Sequence, residues 1–236
     1  MKNLATFILL SLTFNGYAQS ENIFGKDPLI NLENWDKQRV YWGFFLGMNS
    51  YDFKINYKSY TPNQKDILAE TTTGFNVGLV GDLRLHEYIN LRFEPGLYYT
   101  QRNLTFPNFI KEFDAYREVR STYIHFPLLL KFSSLRTGNV RPFLIGGLSS
   151  TLNLGSNSTS KDDNSQQRFR MKPWTTNYEL GFGIDFYFEY FKFSPSIRGV
   201  FGLTDELIRD NAPNSPWTSN IESMKTRAVL INFTFH

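Results

Sequence analysis

The amino-acid sequence predicts an all-β fold: an eight-stranded antiparallel transmembrane up-and-down β-barrel with short periplasmic turns and four longer extracellular loops. Three observations carry this expectation. The chain opens with an export signal, it contains eight stretches in which apolar and polar residues alternate, and the connections between those stretches are alternately long and short.

The signal occupies residues 1–18. Lys2 gives a positive start, Leu4 to Phe14 an apolar core too short to span a bilayer, and Gly16-Tyr17-Ala18 the small residues of a cleavage site after Ala18. The 236 residues then divide into this leader, a short periplasmic segment at 19–38 and one barrel domain at 39–236. Beyond the leader no apolar run approaches the roughly 18 residues of a transmembrane helix. An exported chain of this kind is therefore either soluble or a barrel.

Composition narrows the choice. There is no cysteine, which excludes disulfides, a thiolate nucleophile, cysteine metal ligands and a lipoprotein anchor. Twenty-five basic residues against 22 acidic ones give no face for nucleic acid. The 23 Phe and 13 Tyr suit the aromatic girdles of a membrane barrel.

The first alternating segment sets Val40, Trp42, Phe44, Leu46 and Met48 against Tyr41, Gly43, Phe45, Gly47 and Asn49. The second sets Phe75, Val77, Leu79, Gly81 and Leu83 against Asn76, Gly78, Val80, Asp82 and Arg84. In the third, INLRFEPGLYYTQRNL at 89–104, Arg92 and Glu94 stand between Leu91, Phe93 and Leu97. The fourth alternates from Thr122 to Phe132, with His125 and Lys131 on its polar side. The fifth, Arg141 to Leu154, is the least regular. The sixth sets Tyr178, Leu180, Phe182, Ile184 and Phe186 against Asn177, Glu179, Gly181, Gly183 and Asp185. The seventh runs from Phe191 to Gly202 with Lys192 and Arg198 on the polar side, and the eighth from Arg227 to Phe235. A period of two means strands with unlike faces, and each segment reaches the roughly 9–11 residues of a tilted membrane strand. Connections near 50–73, 103–120, 153–172 and 203–224 are long and polar, whereas those near 86–88, 133–140 and 187–190 are short. With the N-terminus in the periplasm, every short turn is periplasmic and every long loop is outside.

The apolar faces then meet lipid and the polar faces the lumen. An eight-stranded lumen is just filled by side chains, and buried charges must be paired. The expected lumen network comprises Asp82, Arg84, Arg92, Glu94, Lys131, Glu179, Asp185, Lys192 and Arg198, with inward glycines making room. Pro95, Pro127, Pro142 and Pro195 fall inside strands, where bulges or weakened pairing are expected. The structural rival is a secreted β-sandwich, but its outer face should be polar.

No catalytic, cofactor or metal residues stand out. His86 lies in a turn, His236 ends the chain, and His125 reads as a packed lumen residue. Residues 155–167, with Asp162-Asp163, lack the spaced ligands of a calcium loop. Lys192 and Arg198 read as partners of the lumen carboxylates and not as an anion site. Trp35, Leu29 and Ile30 in the 19–38 segment suggest a partner contact or a plug for the periplasmic mouth, with disorder the alternative.

Four stretches together carry a resemblance: RVYWGFFLGMN at 39–49, RFEPGLYYTQRNLTF at 92–106, TYIHFPLLLKFSSLRTGNVRPFLIGG at 122–147 and YELGFGIDFYFEYFKFSPSIRGVFGL at 178–203. In their order, and with NWDKQRVYWGFFLG leading into the first strand, the chain resembles the PorT family of outer-membrane proteins of Bacteroidota. That resemblance implies a non-enzymatic component of the type IX protein secretion system, which in some species serves gliding motility. It implies other secretion components and outer-membrane lipid as partners, with no small-molecule substrate and no cofactor. Two rivals stay open: a general small barrel for envelope stability or adhesion, and a lipid-modifying barrel enzyme, for which His125 is the candidate residue.

Overall fold

A computed structural model describes residues 29–59, 66–107, 109, 111–160 and 169–236. The leader, residues 19–28 and Asp162-Asp163 lie outside the described residues. A 3-10 turn at Trp35–Lys37 precedes β1 (Val40–Tyr57). There follow β2 (Leu68–Thr71), β3 (Thr73–Arg84), β4 (Ile89–Phe93), β5 (Gly96–Thr105), β6 (Tyr116–Ser133), β7 (Val140–Asn153), β8 (Trp174–Tyr187), β9 (Lys192–Gly202) and β10 (Ile221–Phe235). One helical turn, Glu112–Ala115, enters β6. Strands β2 and β3 form one stave of the wall and β4 and β5 another, so ten segments make eight staves. All pair antiparallel, and β1 closes the ring by pairing with β3 on one side and β10 on the other. A closed ring satisfies the backbone without water, which a sheet in lipid must do.

The outward face is an apolar belt. Trp42 and Leu79 are 72% and 64% exposed, and Leu144, Leu180 and Phe182 are similarly bare. Aromatic pairs rim it: Phe44–Phe235 and Phe188–Phe191 toward the short turns, Phe75–Tyr99 and Tyr178–Phe201 toward the loops. Water would not tolerate such a wall on every side, whereas lipid requires it.

The strands outrun the belt, and here the structure corrects the expected boundaries. β1 and β6 each have 18 residues, and residues 50–57, 68–73, 103–105, 116–120 and 221–224, expected in loops, are largely strand. The reason is a change of phase. Up to Met48 the apolar side of β1 faces out. Beyond it Tyr51 and Phe53 are buried, while Ser50 and Lys54 are exposed. β6 changes likewise, with Val119 buried between exposed Glu118 and Arg120. The outer medium has switched from lipid to water, so the apolar side turns inward.

At two of the four prolines the strands show the weakened pairing expected of them, and at none of the four do these ladders bulge. At Glu94-Pro95 the stave is interrupted, yet β3 pairs with β4 and β5 in one register (Gly81↔Phe93, Gly78↔Gly96). The carbonyl of Pro95 still accepts the Leu79 N–H (3.0 Å). At Pro195 the β8–β9 ladder skips from Gly183↔Ser196 to Phe186↔Phe193 in one register. Pro127 and Pro142 sit in continuous ladders with β7 and β8. Pro95 and Pro195 thus leave gaps without slip, because neighbouring hydrogen bonds and the two-sided burial pattern hold the register. β7 proves regular: Phe143, Ile145, Ser149, Thr151 and Asn153 point in. Its alternation is masked in the sequence because the inward face carries large apolar residues.

Candidate functional site

Three layers fill the barrel. The central layer is a relay of charges. Arg92 donates from Nε and Nη2 to the two Asp82 oxygens (2.9 and 2.7 Å) and from Nη1 to Glu94 (3.2 Å). Arg198 donates to the other Glu94 oxygen (2.6 Å) and lies 3.3 Å from Glu179. Glu179 bonds His125 Nε2 (2.6 Å), and His125 Nδ1 bonds the Thr151 hydroxyl (2.8 Å). Below it Lys131 donates to both Asp185 oxygens (2.8 and 2.6 Å), and the Ser194 hydroxyl donates to the same carboxylate (2.6 Å). Lys131 and Lys192 lie 4.0 and 4.3 Å from the ring centres of Phe143 and Tyr41.

Asp82, Arg92, Glu94, Lys131, Glu179, Asp185, Lys192 and Arg198 are all buried. Arg84 stands apart from this group: it is half-buried at the short-turn rim, beside Lys37, Arg39 and Glu87. One member was not foreseen. The His236 ring turns into the lumen, 3.5 Å from Asp82 and edge-on to Tyr41. Nothing in a C-terminal histidine signals that, beyond its position two residues after inward Thr234 in the rhythm of β10.

Two glycines make room. A Cβ on Gly47 would fall 2.5 and 2.6 Å from the side chains of Asn232 and Asn76, whose mutual hydrogen bond (2.6 Å) crosses in front of it. A Cβ on Gly183 would strike the Phe143 ring at 2.4 Å.

The upper layer is aromatic and apolar. Phe45, Tyr51, Tyr98 and Tyr123 cluster in the lumen. Arg102, fully buried, packs its guanidinium 3.7 Å from the Phe53 ring centre and donates to Thr226 (3.2 Å) and to the Tyr123 hydroxyl. Over this, Leu104, Phe106, Phe169, Met171, Leu207, Ile221 and Met224 form a second core beneath the long loops. Glu206, in loop 203–220, accepts from the Thr226 backbone (2.8 Å) and hydroxyl (3.0 Å). Burial pushes its carboxyl up, against the opposing pull of Arg102.

The lower layer is the N-terminal strap. Asn31 donates to Asn139 (2.9 Å) and to the Tyr187 carbonyl (3.1 Å), and Arg136 donates to the carbonyls of Asn31 and Leu32. Asp36 accepts from the Tyr187 hydroxyl (2.8 Å) and lies 3.5 Å from Arg141. Trp35 tilts against Tyr41 with ring centres 6.1 Å apart. Leu29 and Ile30 stay exposed. Residues 31–36 therefore lie across the mouth at the short-turn end.

Chemically, Thr151, His125 and Glu179 have the connectivity of a hydroxyl–base–acid relay. All three are buried, Glu179 is shared with Arg198, and Asn177 donates to the same hydroxyl (3.0 Å). The relay is walled off above and below. Among the described residues no group of three His, Asp or Glu side chains is placed to hold a metal, and no helix is long and apolar enough to cross a membrane.

Residues 17–207 match the family described as outer membrane protein beta-barrel domain, which is well over half of the chain. The chain belongs to that family. It is an outer-membrane β-barrel protein, and the bare apolar belt is its lipid-facing wall. No curated protein matches the chain. Among solved structures, OprG of Pseudomonas aeruginosa is similar at 13% identity over 83% of this chain and 92% of that one, with a TM-score of 0.42. The N-terminal barrel domain of OprF from the same organism is similar at 15% identity over 81% and 97%, with a TM-score of 0.37. Neisserial surface protein A is similar at 7% identity over 81% and 95%, with a TM-score of 0.41. At these identities and scores, nothing about the activity of this barrel is taken from them.

Proposed function

We propose that this outer-membrane barrel is a non-conducting, non-enzymatic component that acts through its surfaces, in envelope stability or adhesion. The observation that supports it is that described side chains fill the lumen at three levels: the strap held by Arg136 and Asp36, the Asp82–Arg92–Glu94–Arg198 relay, and the apolar core around Phe106 and Met224. What remains free to act is the wall, the loops and the end of the strap. In the proposed orientation the short turns and strap are periplasmic and the loops lie outside.

A second reading is favoured by one specific feature. The stretch NWDKQRVYWGFFLG, on which the resemblance to the PorT family turns, is where the strap passes into β1. Under this reading the barrel is a component of the type IX secretion machinery, and the strap, with exposed Leu29 and Ile30, faces its partners. One experiment separates the two. In a clean deletion strain, retention of proteins bearing type IX targeting domains, with other outer-membrane proteins normal, establishes the second reading. Normal secretion with detergent sensitivity or lost adhesion establishes the first.

A further inference from the structure

Above the belt, the outward face of the β1–β10 ladder carries three cations. Asp52 is opposite Arg227, and Lys54 is directly opposite Lys225. Like charges facing each other across a ladder destabilise it. Asp52 is engaged by Arg227, whose Nε donates to it at 2.7 Å, and makes no ion pair with either lysine among the described residues. Neither Lys54 nor Lys225 has an ion pair among the described residues. Lys54 and Arg227 also line a 290 Å³ cleft between β1 and β2, whose other charged residues are Asp52 and Asp66.

The height of the pair suggests what offsets this repulsion. Val229 is the last apolar outward residue of β10, 53% exposed, with Phe201 beside Arg227 at the aromatic rim. At about 3.3 Å per residue and a tilt near 40°, Arg227 stands about 5 Å and Lys225 about 10 Å above it. Headgroups add roughly 5–7 Å per leaflet, and lysine side chains lean back toward that layer.

We propose that Lys54 and Lys225, with Arg227 at their foot, form a binding site for the phosphate of an outer-leaflet lipid A-type glycolipid. The two ammonium groups share one phosphate, which turns a repulsive pair into two charge-assisted contacts. Val229 and Met48, the first apolar outward residues below the site on β10 and β1, take the start of an acyl chain. The leaflet follows from the proposed orientation, but binding itself does not depend on it.

The test is native mass spectrometry of the full mature chain in detergent, titrated with phosphorylated lipid A or with the same lipid dephosphorylated. The wild type binds one phosphorylated lipid A about tenfold more tightly than K54A/K225A does, and the dephosphorylated lipid binds both proteins equally weakly. A K37A/K172A control, which removes two charges elsewhere, leaves binding unchanged, and heat-modified gel mobility reports that each variant is folded. Equal affinity of wild type and K54A/K225A, or indifference of the wild type to the phosphate, overturns the site. Binding with cell-surface tags reporting loops on the periplasmic side would keep the site and overturn the orientation.

Discussion

Arg198 on β9 and Glu94 at the β4–β5 break lie on opposite staves of the ring and meet in the middle of the lumen at 2.6 Å. The break is at Pro95, where the wall gives up backbone pairing. A cross-lumen ion pair therefore ties the wall together at its weakest point.

Removing Arg198 takes one cation from two buried carboxylates, Glu94 and Glu179, and leaves them with Arg92 and His125. Arg198→Met, which exposes Glu94 and Glu179 to each other, is expected to cost about 3–5 kcal/mol. Adding Glu94→Gln should recover part of that loss. Urea unfolding of the refolded barrel, followed by heat-modified gel mobility, measures both.

The wall can be tested at Leu180, 59% exposed on the outward face of β8. Leu180→Arg is expected to cost about 2–4 kcal/mol in lipid vesicles, as charges do near a bilayer midplane. On a water-facing surface the same change would be near neutral, so refolding yield in vesicles is decisive.

The strap depends on Arg136 and Asp36, each only partly exposed. Arg136→Ala should cost about 1–2 kcal/mol locally through lost hydrogen bonds to Asn31 and Leu32. The barrel stays folded. Trypsin cleavage after Lys37 should accelerate several-fold, by roughly the factor that free energy implies.

Glu206 supplies a pH dependence. Its folded-state carboxyl holds a proton to higher pH than the ordinary value of 4.5. The native state then binds more protons than the unfolded chain between the two values. This contribution is full below the ordinary value and is lost as pH rises through the folded one. Glu206→Gln should flatten the fall in loop protection between acidic and neutral pH, read by hydrogen exchange at Thr226 and Met224.

Much of this was legible in alternation alone. Val40 to Met48 and Tyr178 to Phe186 announce lipid on one side, and the charges opposite them announce a filled lumen. The strand extensions were hidden because the rule inverts where lipid gives way to water, as at Met48 to Tyr51 in β1. A change of phase within one alternating run is the signal that would have found them. Pairing partners such as Glu94 and Arg198 belong to different staves, so only closure of the ring brings them together. Parity places Arg84 inward, but at the end of β3 the wall ends too, and its side chain stands at the rim beside Lys37, Arg39 and Glu87. Arg102 shares the parity of Arg92 and Glu94, but the partners that bury it, Phe53 and Thr226, lie on β1 and β10 in stretches that read as loop or strand start until the ring closes.

The central claim is closure, and single-channel recording of the refolded wild-type barrel in planar bilayers tests it most directly. The account predicts a flat trace, with no stepwise conductance at moderate voltage. Discrete, reproducible openings from folded protein would contradict it, because the Asp82–Arg92–Glu94–Arg198 relay spans the lumen.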